Sequence, residues 1–360
     1  MDHNPIGIKK IKARDILDFT KAALNDPNYR DIVPLSMSRA IAHSKNPYAE
    51  KEDVVLLVAY KDGRCVGYHG ILPGLLQRDG NFSPVFWGST FFVSNPFRGR
   101  GVGKALLENI KSLNVDFVVT GMTGQAKKAL KDFGLKRLGQ LIFCQIRLDR
   151  IKIFSGFKKR LFYRLMLNQM SANVKDFRYI QVKQIKHSED AATLGTNSPH
   201  FYRGIDLINW MLKYPWIQSS GEMKNRWGRY YFSEVRDIFR YIALEIYSGE
   251  MELYQGFLIL SISRTRKKTV VKVLDYNFNN PADSKIACLL TVKYARDVLA
   301  DRIEFPLCLE ADFSCKFLRK FFLKRQKRTY LFLPKDKDSA LANSLGELVL
   351  KFCDGDIPFS

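Results

Sequence analysis

The residues best suited to chemistry form a glycine-rich basic segment between a strand-like run and a helical pattern. The segment alternates glycines with cations and reads Arg98, Gly99, Arg100, Gly101, Val102, Gly103, Lys104. Glycines let main-chain N–H groups approach a ligand closely, and the N-terminus of a helix adds partial positive charge. Phosphate oxygens suit such a turn, and the three cations reinforce it. The sequence therefore predicts a phosphate-binding turn.

The spacing of this segment excludes two common phosphate-binding motifs. Gly99, Gly101 and Gly103 leave no third glycine at the position that the dinucleotide fingerprint requires. A P-loop requires Ser or Thr after its lysine, whereas Lys104 is followed by Ala105. What remains is either a different phosphate-binding turn or a tight strand-to-helix turn with a solvated basic rim.

The segment resembles motif A of the GNAT acyltransferases, whose pattern is (Gln/Arg)-x-x-Gly-x-(Gly/Ala). Arg98, Gly101 and Gly103 match that pattern, and Val93 precedes it at the spacing seen in the family. The resemblance implies transfer of an acyl group from acetyl-CoA, or another acyl-CoA, to an amine, with no metal. It also implies that the segment 98–104 holds the pyrophosphate of the co-substrate.

The resemblance further implies how the rest of the acyl-CoA is held. The main chain of the third strand, at Phe91, Phe92 and Val93, would bind the pantetheine arm. The thioester would lie between this strand and the next one, at about 117–121. Polarisation of the thioester carbonyl by main-chain N–H groups, together with orientation of the amine, can then supply much of the rate.

The order of predicted elements extends the resemblance over about residues 8–148. The apolar periodicity predicts a helix at 13–24, strands at 54–60, 65–72 and 86–93, a helix at 102–113, a strand at 117–120, a helix at 125–133 and a strand at 141–146. The second half repeats this order, with strands at 241–247, 256–262 and 269–275, a helix at 284–299, a strand at 303–305, a helix at 313–323 and a strand at 330–333. Its loop 277–283 has no glycine and no arginine, so we do not expect it to hold a pyrophosphate.

We therefore predict an α/β fold with a mixed sheet (an α+β arrangement), built from two tandem GNAT-like domains. Residues 1–148 would form the acyl-CoA domain, 149–180 a basic amphipathic linker, and 181–360 a degenerate domain on the acceptor side. In the linker we expect four apolar side chains to pack and the cations to face water. The four are Phe154, Phe157, Leu161 and Phe162.

The general base and acid of the family are missing from their expected places. The strand 86–93 contains no Asp or Glu. The tyrosine that protonates the leaving thiolate falls at Leu130, and a frequent asparagine falls at Thr123. Thr123 itself is a weak substitute.

His69 and Tyr68, on opposite faces of the second strand of the hairpin, are the best-placed titratable substitutes. A histidine packed in a strand is the structural alternative for His69. An acid from the second half, Asp275 or Glu304, is a further possibility.

The charge of the chain favours anionic partners. It has 58 Lys and Arg against 36 Asp and Glu, a net charge of +22. One basic concentration lies at 151–180 and another at 316–328. We expect the phosphates of acyl-CoA and a small acceptor that is anionic or sugar-like, and RNA or an acidic membrane surface stays open. A solvated basic face is the alternative.

The sequence disfavours a membrane-spanning protein, a secreted protein and a small domain held together by metals or disulfides. No apolar run approaches the roughly 18 residues that cross a bilayer, and the first residues lack the apolar core of a signal peptide, so a cytoplasmic protein is expected. The six cysteines are scattered and form no C-x-x-C pair, which disfavours a metal or disulfide framework.

Three functions are compatible with the sequence. The first is a CoA-dependent N-acyltransferase that binds its acceptor between the two halves. The second is a Fem-type transferase that uses aminoacyl-tRNA, although such proteins generally lack the acyl-CoA loop. The third is a non-catalytic protein that senses acyl-CoA.

Overall fold

A computed structural model describes residues 5–131, 133–149, 156–171, 174, 176–187, 198–219, 230–232, 235–249, 253–265, 268–313 and 321–355. The strands are β1 (Gly7–Lys12), β2 (Val54–Lys61), β3 (Arg64–Arg78), β4 (Asn81–Val93), β5 (Asp116–Val119), β6 (Lys136–Arg147), β7 (Phe177–Val182), β8 (His200–Phe201), β9 (Gln218–Ser219), β10 (Val235–Arg236), β11 (Ile238–Ser248), β12 (Tyr254–Thr265), β13 (Lys268–Phe278), β14 (Arg302–Pro306) and β15 (Leu323–Leu333). The helices are α1 (Ile16–Asn25), α2 (Met37–Ser44), α3 (Val102–Lys111), α4 (Gly124–Lys131), α5 (Gly156–Ser171), α6 (Ile205–Lys213), α7 (Ser284–Asp297), α8 (Glu310–Phe313) and α9 (Ala340–Asn343).

A single mixed sheet of 13 strands runs through both halves of the chain. Its order is β1-β2-β3-β4-β5-β15-β6-β14-β13-β12-β11-β7, with β8 paired to β3. The order is symmetric about the centre, because β2-β3-β4-β5 of the first unit correspond to β11-β12-β13-β14 of the second. The prediction of two tandem α/β units is confirmed.

The two units exchange their last strands. β6 follows the first unit in sequence but pairs with β14 of the second, and β15 ends the second unit but pairs with β5 of the first. β15 and β6 also pair with each other along most of their length. Each unit therefore completes its part of the sheet with a strand from the other.

Apolar residues cover both faces of the sheet. Helix α3 buries one stripe, at Val102, Leu106, Leu107 and Ile110, against β2 and β3 of the first unit. Helices α5 and α7 cover the same face of the second unit. On the opposite face, α6 and the segment after α9 pack over strands of both units.

Within the described residues, the predicted strands and helices are present together with further elements. The sequence reasoning missed β1, α2, β7, β8, β9, β10 and α9. The predicted helix over 313–323 is wrong at its end, because Leu323 begins β15; residues 314–320 lie outside the described residues.

The basic linker contains helix α5, and its packing differs from the expectation. Phe162 is buried as expected. The expectation that Phe157 and Leu161 pack is wrong, because they are 77% and 48% exposed. Tyr163 and Met166, which follow Phe162 around the helix, form the buried stripe instead. Phe154 lies outside the described residues.

Candidate functional site

The first unit opens a cleft at the end of β4. β4 and β5 pair only where Val85–Gly88 lie beside Asp116–Val119. Beyond this point β5 ends, whereas β4 continues to Val93 along β3. Ser89 is the extra residue of a bulge, because Gly88 pairs with Ile71 and Thr90 pairs with Gly70. We call the gap between Ser89–Val93 and the end of β5 the first cleft.

The apex of the first cleft is tightly packed around Gly88. A Cβ at this position would lie 2.9 Å from Phe117 Cζ, 2.9 Å from Val119 Cγ1 and 3.0 Å from His69 Nε2. Real Cβ atoms do not approach so closely, so only glycine fits without displacing a neighbour. The point at which the two strands separate is therefore fixed by packing.

The predicted phosphate-binding turn lies at the open end of this cleft. Gly101 precedes the first residue of α3 with φ of +85°, a left-handed conformation that favours glycine. The first N–H to donate within the helix belongs to Ala105, which bonds Gly101 O at 2.9 Å. The N–H groups of Val102, Gly103 and Lys104 precede it, and no carbonyl of the helix can accept from them. These three N–H groups are therefore left open to an acceptor from outside the helix.

The cations of the turn surround this helix start. Arg98 donates from Nε to Val93 O at 3.0 Å, which ties the turn to the end of β4. The guanidinium of Arg100 lies 6.0 Å from the ring centre of Phe97. Lys104 Nζ lies 3.8 Å from Glu108 Oε1, in an exposed pair one helical turn apart. All three cations are exposed and available to an anionic ligand.

The predicted strand residues lie beside the same turn, on alternating faces of β4. Phe91 faces α3, where a Cβ on Gly103 would lie 3.3 Å from its ring. Phe92 faces the opposite side, where its ring centre is 5.4 Å from that of Tyr68. Val93 accepts the Arg98 hydrogen bond. The structure thus brings the predicted pantetheine strand and the predicted pyrophosphate turn to one end of the first cleft.

His69 lies on the α3 side of the sheet, next to the apex. It is 2% exposed, and its ring packs 5.0 Å from Phe91 and 5.5 Å from Phe117 between ring centres. Its Nδ1 has no hydrogen-bond partner among the described residues. Burial disfavours the charged imidazolium and lowers the pKa of His69 to about 3. The ring is therefore neutral near pH 7.

Tyr68 lies on the opposite face of the sheet, where it is fully buried among aromatic rings. Phe92, Tyr230 and Phe232 are its ring neighbours. Burial raises the pKa of Tyr68 well above its ordinary value, so the phenol stays protonated. The two predicted catalytic candidates therefore lie on opposite faces of β3, as the strand alternation predicts.

The other positions considered in the sequence occupy structural roles. Thr123 Oγ1 accepts the N–H of Ala126 at 3.2 Å and so caps α4. Leu130 is buried. Glu304, on β14, accepts from Gln145 Nε2 at 2.8 Å and is separated from β5 by two strands. Asp275 lies on β13 of the second unit.

A buried polar cluster on α2 escaped the sequence reasoning. Arg39 is 7% exposed, and its guanidinium lies 4.5 Å from the ring centre of Trp216. Arg39 Nη1 has no hydrogen-bond partner within the described ranges. His43, one turn later, stacks on the same tryptophan, and burial lowers its pKa to about 3. The signal for this helix was Ser36, whose Oγ accepts the Arg39 N–H as an N-cap.

The described part of the chain contains no group of three or more His, Cys, Asp or Glu side chains arranged to hold a metal ion. None of its helices is both long and apolar enough to cross a membrane.

Residues 22–113 match the model of the acetyltransferase (GNAT) family, a range that runs from α1 through α3 and includes the whole basic turn. No curated protein matches the chain.

Solved structures resemble the chain over most of its length at low identity. A GCN5-related N-acetyltransferase from Anabaena variabilis is 12% identical with a TM-score of 0.49, over 92% of this chain and 73% of that one. A tandem GNAT protein from the clavulanic acid biosynthesis pathway is 12% identical with a TM-score of 0.48, over 93% and 100%. The N-myristoyltransferase of Saccharomyces cerevisiae with bound myristoyl-CoA is 9% identical with a TM-score of 0.48, over 91% and 82%. These values are too low to transfer substrates or residue roles.

Proposed function

Because residues 22–113 match the model of the acetyltransferase (GNAT) family, we propose that the protein is an acyl-CoA-dependent N-acyltransferase. We expect acetyl-CoA as donor and the amine of a small molecule as acceptor. The observation that supports this proposal is that the N-terminus of α3 lies at one end of the first cleft. The N–H groups of Val102, Gly103 and Lys104 and the cations around them lie at one end of the cleft, where Arg98 is bonded to Val93.

The residues present fit the donor that the family uses. The turn Arg98–Lys104 would hold the pyrophosphate through main-chain N–H groups and exposed cations. The main chain of Phe91–Val93, which pairs with β3 on one side only, would bind the pantetheine amides. The thioester would then lie at the apex beside Gly88.

We propose direct transfer in a ternary complex. The lone pair of the acceptor amine attacks the thioester carbonyl carbon, a C–N bond forms, the C–S bond breaks, and the amine proton leaves to give amide and thiol. His69 is neutral but, with a pKa of about 3, is a weak base for an ammonium proton. We therefore assign the rate mainly to orientation of the two reactants and to main-chain N–H groups at the carbonyl. His69 and Tyr68 stay candidates for proton transfer.

One observation favours a second candidate, an acyl-CoA-binding protein that does not catalyse transfer. Leu130, at the position of the family tyrosine, is 4% exposed and packs in the same cluster as Phe117 and Val119. An apolar side chain there cannot protonate a leaving thiolate. Both candidates require acyl-CoA binding and differ only in turnover.

Calorimetric titration with acetyl-CoA tests the shared requirement. Gly101→Glu places a carboxylate at the helix start and should abolish binding. Gly80→Glu is the matched control, because Gly80 has φ of +77° and nothing within 4 Å, but lies in the distant β3–β4 turn. Absence of binding to the unmodified protein would refute both candidates.

A thiol-release screen over amines and amino sugars then separates the two candidates. Transfer to any acceptor, lost in Gly101→Glu and kept in Gly80→Glu, supports the enzyme. Binding of one acetyl-CoA per chain without thiol release from any acceptor supports the sensing protein instead.

A further inference from the structure

The second unit contains a cleft that corresponds to the first. Leu274 is the extra residue of a bulge in β13, since Val273 pairs with Leu260 and Asp275 pairs with Ile259. β13 and β14 pair only up to Lys272 and Glu304, after which β13 continues alone on that side to Phe278. We call the gap between Leu274–Phe278 and the segment after β14 the second cleft.

The second cleft contains a cavity of about 930 Å³ that is partly open to solvent. This is at the upper end of the range of about 300–1,000 Å³ that is typical of small-molecule sites. The walls are mainly apolar and come from β6, β13, the segment after β14 and the segment after α9. Representative wall residues are Leu141, Ile142, Phe278, Leu307, Leu348 and Leu350.

The start of α7, at one end of this cavity, does not suit a phosphate. Asp283 occupies the N-cap position, and Ser284 donates from Oγ to Asp312 Oδ2 at 2.8 Å. Two carboxylates therefore lie where the first unit has Gly101 and its cations. Their charge repels an anion, so the cavity is not a second acyl-CoA site of the same kind.

The opposite end of the cavity is polar, and its arginine is largely buried. The Arg203 side chain is 12% exposed; its Nη2 lies 3.4 Å from Asp275 Oδ1, and its Nε lies 4.0 Å from Asp354 Oδ1. Arg203 Nε and Nη1 and Asp354 Oδ1 have no hydrogen-bond partner among the described residues. A smaller pocket of about 60 Å³ adjoins this end and shares Arg203, Leu274 and Asp275 with the cavity. Buried polar atoms left unpaired in this way mark a place for a ligand group.

At this polar end Arg203 and Lys351 lie near Asp275 and Asp354, so each of these two cations has a carboxylate nearby. A carboxylate or an ammonium brought into this set would be an unpaired charge with little water around it, which is costly. A head group without net charge avoids that cost and still fills the open hydrogen-bond positions.

We propose that the second cleft binds a net-neutral amphiphile. Its apolar body fills the cavity, and its head group, which both donates and accepts hydrogen bonds, bonds to Arg203 and reaches Asp354 in the adjoining smaller pocket. A primary amide is the simplest such head, because its oxygen accepts from the guanidinium and its N–H donates to the carboxylate. This site is separate from the donor site and does not depend on the proposed acyl transfer.

Fluorescence of the neutral probe N-phenyl-1-naphthylamine tests the cavity in the full-length protein. Leu348→Trp enlarges a side chain that lines the cavity and should weaken probe binding by about tenfold. Leu345→Trp is the matched control: it lies three residues away on the same segment, is 41% exposed and does not line the cavity. Equal binding by the two variants, or no binding by the unmodified protein, overturns the proposal.

Displacement of the probe by three ligands of equal chain length tests the head group. Decanamide should displace it at a concentration about tenfold lower than decanoate or decylamine. Acetyl-CoA should not displace it. Preference for either charged ligand, or displacement by acetyl-CoA, contradicts the proposal, whereas loss of acetyl-CoA binding in a separate titration bears only on the proposed function.

Discussion

Thr120 Oγ1 donates to the main-chain carbonyl of Thr329 at 3.2 Å and joins residues 209 positions apart in sequence. Thr120 follows directly after β5, at the apex of the first cleft, and Thr329 lies in the last strand of the second unit. The register continues this contact, with Leu331 beside Val119. One wall of the first cleft is therefore made by the second unit.

This exchange predicts that neither half of the chain folds alone. Fragments 1–187 and 198–360, expressed separately, would expose β5 and β14 as unpaired edges and should aggregate or unfold without cooperativity. Expressed together, they should form a complex that binds acetyl-CoA, as measured by co-purification and calorimetry. A soluble first fragment that binds acetyl-CoA with the affinity of the whole chain would contradict the prediction.

Gly88→Ala should destabilise the protein and disturb the first cleft. The added methyl would meet Phe117, Val119 and His69 at 2.9–3.0 Å, and overpacking of this kind costs about 1–3 kcal/mol. Denaturant unfolding measures the cost, and acetyl-CoA titration measures the change at the apex. Gly124→Ala is the control, because nothing lies within 4 Å of a Cβ there. A similar unfolding midpoint for both variants would contradict the prediction, because it would show that the neighbouring side chains move aside without cost.

Local sequence patterns were sufficient to predict the order of the strands and helices and the position of the glycine-rich turn 98–104. Alternating apolar residues predict the strands of both units, and the spacing of Gly101 and Gly103 after β4 predicts the helix start. These features depend on residues close together in the chain. The same is true of the opposite facing of His69 and Tyr68.

The remaining features depend on tertiary contacts. No local pattern distinguishes β6 paired within its own unit from β6 paired with β14, so the exchange was not predicted. The cavity of the second cleft could not be predicted from the spacing of residues in the sequence either. Its walls come from segments that are far apart in the chain, such as those of Leu141 and Leu348. Phe157 is exposed although it is apolar, because helix α5 buries only the side that carries Phe162, Tyr163 and Met166. Tertiary packing, and not the local sequence, determines strand partners, cavities and the exposure of single side chains.

Arg100→Gln should weaken acetyl-CoA binding in a salt-dependent way. Arg100 is exposed beside the helix start and has no carboxylate partner within 4.0 Å among the described residues, so its charge is available to phosphate. The loss should be about fivefold at low ionic strength and smaller at high ionic strength, where the charges are screened. Arg64→Gln, at the exposed first residue of β3, is the control. Equal effects of the two substitutions would assign the dependence to net charge alone.

Two of the buried histidines, His43 and His69, should make the free energy of unfolding fall as the pH drops. His69 and His43 have pKa values of about 3 in the folded protein because burial penalises their charged forms, whereas an unfolded histidine titrates near 6.5. Above pH 6.5 both states are neutral and the histidines add no pH dependence. Between about 6.5 and 3 the unfolded state binds more protons, so each histidine lowers the free energy of unfolding by about 1.4 kcal/mol per pH unit. Thermal unfolding from pH 7.5 to 4.5 measures this slope, and the double variant His43→Gln/His69→Gln should flatten it. An unchanged slope would mean that the two rings are protonated in the folded protein and that His69 is a stronger base than its burial allows.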